Sequence, residues 1–138
     1  LSGLTGFLKL QELGINNNRI TDLTPLTSLA ALGMLSANSN LLTDISPLAG
    51  MNSLYSIDLG YNQISDITPL TGLLRLLYVG LDGNQVADLA PLIANPAMNA
   101  GDTLLLMQNP LSVQALCTDI PALQGRGVMV FFTGECES

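Results

Sequence analysis

Asn18, Asn40, Asn62 and Asn84 stand 22 residues apart, each inside a variant of one phrase: NNNRITDLTPL, NSNLLTDISPL, GYNQISDITPL and DGNQVADLAPL. Aligned on these asparagines, six further columns keep register. Eight residues before lie Leu10, Leu32, Leu54 and Leu76; five before, Leu13, Leu35, Ile57 and Val79; three before, Ile15, Ala37, Leu59 and Leu81. Two after come Ile20, Leu42, Ile64 and Val86; five after, Leu23, Ile45, Ile67 and Leu89; eight after, Leu26, Leu48, Leu70 and Leu92. A fixed period of this length marks units that each fail to bury their own apolar face and bury it by stacking. A fifth unit follows after a three-residue insertion, with Leu104, Leu106, Asn109 and Leu111. At the front, Leu1, Leu4 and Phe7 match the second half of an earlier unit.

Each unit has a readable local structure. The Leu-x-Leu segment alternates at period two, as a short strand does with its apolar side chains inward. The chain must then turn. A buried asparagine suits that bend, because its amide both donates and accepts hydrogen bonds from main-chain groups that the turn leaves unpaired. Pro25, Pro47, Pro69 and Pro91 follow, preceded by Thr24, Ser46, Thr68 and Ala90. A hydroxyl cap before proline is a helix-start signal. Only a few residues remain before the next strand, so a single 3₁₀ turn is expected.

The pattern LxxLxLxxNxI resembles the leucine-rich repeat, and its length and the phrase I(T/S)D(L/I)xPL resemble the internalin-type class. The resemblance implies an α/β fold: a right-handed solenoid with a parallel β-sheet on the concave face and 3₁₀ turns on the convex face. It implies repeats over residues 1–111 and a C-terminal cap over 112–138, similar to caps on bacterial repeats of this class. Within the cap, Ser112–Thr118 and Asp119–Gln124 read as short helical pieces, Gly125–Gly127 as a turn and VMVFF as a last strand with Val128 and Val130 inward. No comparable cap precedes Leu10, Leu13 and Ile15. The expectation is therefore a C-terminal piece of a longer protein or an end that docks on another chain.

Composition narrows the function classes. The net charge of −7 argues against nucleic-acid and anionic membrane surfaces, which attract cations. No uninterrupted apolar stretch reaches 18 residues, so no membrane insertion is expected. With no histidine in the chain, the commonest general base and the commonest transition-metal ligand are missing. There is no nucleophile–base pair, phosphate loop or metal-spaced Cys/His cluster, so neither an enzyme nor a metal or cofactor is expected. Asp58 and Asp82 fall on neighbouring strands, but nothing marks either as a proton donor. Cys117 and Cys136 suit a disulfide that closes a C-terminal loop, the alternative being two unrelated thiols.

The residues between the inward leucines face the concave side in five columns. The first holds Gln11, Gly33, Tyr55, Leu77 and Asp102; the second Glu12, Met34, Ser56, Tyr78 and Thr103; the third Gly14, Ser36, Asp58, Gly80 and Leu105. The fourth holds Asn16, Asn38, Gly60, Asp82 and Met107, and the fifth Asn17, Ser39, Tyr61, Gly83 and Gln108. All three tyrosines fall here, and all four cations (Lys9, Arg19, Arg75, Arg126) fall elsewhere. Tyrosine with exposed Met and Leu has the composition of a binding patch. Glu12, Asp58, Asp82 and Asp102 make it negative. The expected partner-binding residues are Tyr55, Tyr78, Tyr61, Asp58, Asp82, Met34 and Glu12; Asn18, Asn40, Asn62, Asn84 and Asn109 form the structural ladder. Asp22, Asp44, Asp66 and Asp88 repeat on the turns, where a capping role is favoured over a calcium ladder.

The functional expectation is a protein-binding module for a neutral to basic protein or peptide. The family resemblance implies a bacterial surface or secreted role in adhesion or recognition. Two alternatives belong to other classes: a subunit that self-associates through its N-terminal edge, and a cytoplasmic regulator of an enzyme.

Overall fold

The computed structural model describes residues 1, 3–4 and 7–137. Six short strands form one sheet in chain order: β1 (Glu12–Gly14), β2 (Met34–Ser36), β3 (Ser56–Asp58), β4 (Tyr78–Gly80), β5 (Thr103–Leu106) and β6 (Met129–Phe132). Every neighbouring pair is parallel. The register places Leu13, Leu35, Ile57, Val79, Leu104 and Val130 in one row across the sheet. This row and the leucines of the turns make one continuous apolar core. From Leu23 to Leu106 the core positions of the repeats are almost wholly enclosed, whereas Leu10, Leu13, Ile15 and Ile20 of the first coil, and Leu111 of the fifth unit, are half-buried.

The asparagines tie coil to coil. Asn62 Nδ2 donates to the Leu59 and Gly60 carbonyls of its own bend, at 2.9 and 3.2 Å, and to the Ala37 carbonyl of the preceding coil, at 3.1 Å. Its Oδ1 accepts the Leu42 N–H of that coil at 3.0 Å. Asn40, Asn84 and Asn109 repeat this pattern. Asn18 is exposed and, among the described residues, donates only to Ile15 and Asn16 of its own coil. The sharpness of each bend comes from the residue just before the asparagine. Asn17, Ser39, Tyr61 and Gln108 have φ near +58° (58, 57, 56 and 59), and Gly83 has +66°. The expected fifth strand-face column is therefore a row of left-handed bends, which lie beyond the three-residue strands.

The turns opposite the sheet begin as expected at the proline, and of the two caps expected the aspartate forms and the hydroxyl does not. Three are 3₁₀ turns, Thr24–Ser28, Ser46–Leu48 and Thr68–Leu70; the fourth, Ala90–Ile93, is a single α-turn, α1. Thr24, Ser46 and Thr68 are already the first residues of their turns. The cap is the aspartate two residues earlier: Asp22, Asp44, Asp66 and Asp88 accept the N–H of Thr24, Ser46, Thr68 and Ala90 at 2.8–2.9 Å. A carboxylate reaches two residues ahead more readily than a hydroxyl reaches its own turn.

The C-terminal segment is one helical run rather than two pieces. A π-turn, Ala115–Asp119, continues directly into α2, Ile120–Gly125. Ala115, Ile120, Leu123 and Val128 are buried in the common core. The run locks onto the three-residue insertion. Buried Asn95 donates to the carbonyls of Leu70 and Leu73, and its Oδ1 accepts the Ala97 N–H, which holds the inserted chain in place. Arg126 then donates to the Ile93 carbonyl at 2.8 Å. Gly127 (φ +93°) passes so close to Ala100 that a methyl group there would lie 2.9 Å from its Cα. Cys117 and Cys136 are joined, with 4.9 Å between their Cα atoms.

Replacing Asn62 with alanine strands the Leu42 N–H in a dry interior, while the carbonyls of Ala37 and Leu59 each lose one of two donors and keep those from Asn40 and Asn84. At ~1–3 kcal/mol for the orphaned N–H and ~0.5–1.5 kcal/mol for each further hydrogen bond lost, the loss should be at least ~2 kcal/mol. Asn18→Ala, at an exposed position, should cost less than ~1 kcal/mol. Urea denaturation followed by far-UV circular dichroism compares the two directly.

Candidate functional site

Side chains of the second and third columns point away from the core on one face of the sheet. β6 extends both columns: Met129 pairs with Thr103, and Phe131 with Leu105. Phe131 is 46% and Met129 55% exposed. These two residues were not in the expected face, because the last strand reads in sequence only as cap. The signal was present in the alternation of VMVFF, with Val128 and Val130 inward. Leu77, Met34 and Met107 are exposed on the same face.

Two of the tyrosines pack on glycines in adjacent coils, and the third beside a glycine of its own strand. Tyr55 packs the Cδ1–Cε1 edge of its ring against Gly33, where an added methyl group would sit 2.5 Å from Cε1. Tyr61 packs against Gly83 in the same way, with its Cδ1 at 2.5 Å. Tyr78 is partly buried beside Gly80, with its Cε1 3.4 Å from where a methyl group would be. Burial raises the Tyr78 phenol above its ordinary pKa, and the carboxylates of Asp58 and Asp82 add to the shift. The hydroxyl therefore stays protonated and able to donate.

The acidic residues divide by role. Asp58 accepts from Asn38 Nδ2 at 2.8 Å and from the Gly60 N–H at 3.1 Å. Asp82 accepts the Met107 N–H at 2.7 Å. Asn16 accepts from the Ser36 hydroxyl and the Asn38 N–H. This row links the ends of successive strands, so Asp58 and Asp82 are held in place while half-exposed. Glu12 is exposed at the edge strand. Asp102 is not on the face: it is 2% exposed, and its carboxylate accepts the Asn99 N–H. The insertion turns the chain just before β5 and carries this residue inward. Beside β1 to β3 a depression of about 500 Å³ is lined by Glu12, Gly14, Met34, Ser36, Ser56 and Asp58, with Leu13 and Leu35 beneath.

On the other side, Asp66 and Asp88 flank a depression of about 240 Å³. Each carboxylate is engaged with its own turn, and no group of three or more candidate metal ligands occurs among the described residues. The Thr24 hydroxyl and N–H hold Asp22 below the usual carboxylate range, and Thr68 does the same for Asp66.

Comparison with known proteins gives the same architecture. The family model for leucine-rich repeats in two copies matches residues 8–50 and 34–72. Internalin C2 of Listeria monocytogenes superposes with a TM-score of 0.84 at 31% identity, over 96% of this chain and 56% of that one. A second internalin of that organism (inlF) gives 0.67 at 26% identity, over 97% and 46%. A leucine-rich-repeat protein of Leptospira interrogans shares the fold, with a TM-score of 0.82 at 20% identity over 96% of this chain and 33% of its own. The chain thus spans about half the length of the two internalins. A sequence search of curated proteins returns no match. The stacked strands and asparagine ladder define a leucine-rich-repeat solenoid, and the chain belongs to the leucine-rich-repeat proteins. Its repeats are of the internalin type.

The aspartate caps predict an acid response. Because Asp22 and Asp66 have depressed pKa values in the folded state, their contribution is complete above the unfolded-state value of about 3.9 and is lost as pH falls through the folded values. Asp22→Asn/Asp66→Asn keeps an acceptor oxygen without the titration. The double variant should show a shallower fall in thermal midpoint than the parent between pH 4 and pH 2, measured by scanning calorimetry.

Proposed function

We propose that this chain is a protein-recognition module that engages its partner with the concave sheet face. The observation that carries this reading is the pair of tyrosine rings packed on glycines: Tyr55 on Gly33 and Tyr61 on Gly83. An aromatic ring already held in one place loses little freedom on binding and presents a large amphipathic contact. Tyr78, with its protonated hydroxyl, and Met34 complete the patch. Asp58, Asp82 and Glu12 set its sign, and none of the four cations lies on it. A neutral to basic protein or peptide is the complementary partner.

The setting follows from two supports. The Cys117–Cys136 bond belongs to an oxidising compartment. The likeness to internalins favours a bacterial surface or secreted protein acting in adhesion or recognition. Among the described residues no helix is long and apolar enough to cross a membrane.

The test begins with binders selected from a displayed library of random linear peptides. Tyr55→Ala/Tyr78→Ala should weaken their binding by more than ~2 kcal/mol in isothermal titration, the scale of paired aromatic hot spots. Arg19→Ala/Gln63→Ala, off the face, should leave affinity unchanged. Equal affinity of the tyrosine variant and the parent would exclude this face.

A further inference from the structure

The concave face is not uniform along the solenoid axis. Its front, over β1 to β3, is polar and indented: Gly14, Ser36 and Ser56 leave the 500 Å³ depression, with Glu12 on one side, Asp58 on the other and Met34 as an apolar wall. Its rear, over β4 to β6, carries large apolar side chains beside the half-exposed Asp82. Leu77, Met107, Met129 and Phe131 are exposed there at 57, 39, 55 and 46%, and no cation in the chain belongs to these columns. Tyr55 and Tyr78 lie between the two zones. The difference follows from side-chain size in shared register rows: Gly14, Ser36, Asp58 and Gly80 give way to Leu105 and Phe131.

Resting on the concave-face reading, we propose that the partner is a polypeptide segment lying along the solenoid axis, with a lysine or arginine in the Glu12–Asp58 depression and apolar side chains on Leu77, Met107, Met129 and Phe131. Charge decides the first contact. A long basic side chain lays its methylenes on Met34 and brings its head group between two carboxylates. Size decides the second, because a surface of large apolar side chains rewards removal from water. Five strand spacings of roughly 4.8 Å make the face about 24 Å long, the span of about seven extended residues. A second copy of this chain is a poor occupant, since its own face brings carboxylates against carboxylates. An anionic lipid surface is disfavoured by the same sign.

A displayed library of random twelve-residue linear peptides, panned on the purified oxidised chain, tests this. Selected peptides should carry Lys or Arg about four to six residues from an apolar pair. Met129→Ser/Phe131→Ser should weaken them at least tenfold. Glu12→Gln should weaken them several-fold and flatten the salt dependence, and a peptide with its basic residue changed to Gln should not feel that substitution further. Leu77→Ser/Met107→Ser probes the same zone away from the last strand, and decides the outcome if the β6 variant unfolds at a lower midpoint than the parent. If peptides lack the basic residue, or bind both rear variants and Glu12→Gln as they bind the parent while Tyr55→Ala/Tyr78→Ala weakens them, the two-zone assignment is overturned and the concave-face reading stands. If the tyrosine variant also binds as the parent does, both are overturned.

Discussion

A coil of this protein cannot close without an internal hydrogen-bond partner for its bend, and one amide side chain supplies it. The bend after each strand turns main-chain carbonyls and an N–H into an interior with no water to receive them. Asparagine meets both needs at once, and its reach into the preceding coil makes closure of one coil depend on the coil before it. Cohesion along the axis is therefore polar as well as apolar. The leucines need only be aliphatic and of similar size, which is why their columns admit Ile, Val and Ala while the asparagine column admits nothing else in the repeats.

The same geometry prepares the outer surface. With the inward side chains occupied by the core, every other strand residue is left to the concave face. Parallel register then stacks unrelated residues from successive coils into continuous rows. Two tyrosines use this directly: each spreads over a neighbouring coil where glycine removes the obstacle. Asp58 and Asp82 use it differently, each bonding to an adjacent coil and so keeping its charge in a fixed place on the surface. Coil-to-coil bonding and surface charge draw on the same rows. A substitution such as Asp58→Ala would therefore disturb the bend row as well as the surface charge.

The insertion before β5 shows how a break in the repeat can serve the whole. Three extra residues would leave a loose bulge unless something held them. Asn95 holds them from within, and Arg126 and Gly127 hold them from the C-terminal turn. The last strand can then pair with β5 in the register that brings Met129 and Phe131 onto the outward face. The Cys117–Cys136 bond joins the chain beyond that strand to the helical run.

The sequence by itself determined the period, the core columns, the asparagine row and the outward columns of the strands. Each of these rests on local chemistry repeated at fixed spacing, and repetition makes a weak local preference legible. It also determined that the outward face is tyrosine-bearing and acidic. Only the tertiary structure decided what happens where repetition fails or where a neighbour competes. Asp102 keeps column spacing but is turned inward by the inserted chain, and Met129 and Phe131 join the face because β6 pairs in parallel with β5. Tyr61 occupies a left-handed bend rather than a strand, and the hydroxyls expected to share in capping the turns leave that role to the aspartates. In each case the outcome depends on which group reaches a partner first in three dimensions, and spacing along the chain carries no record of that contest.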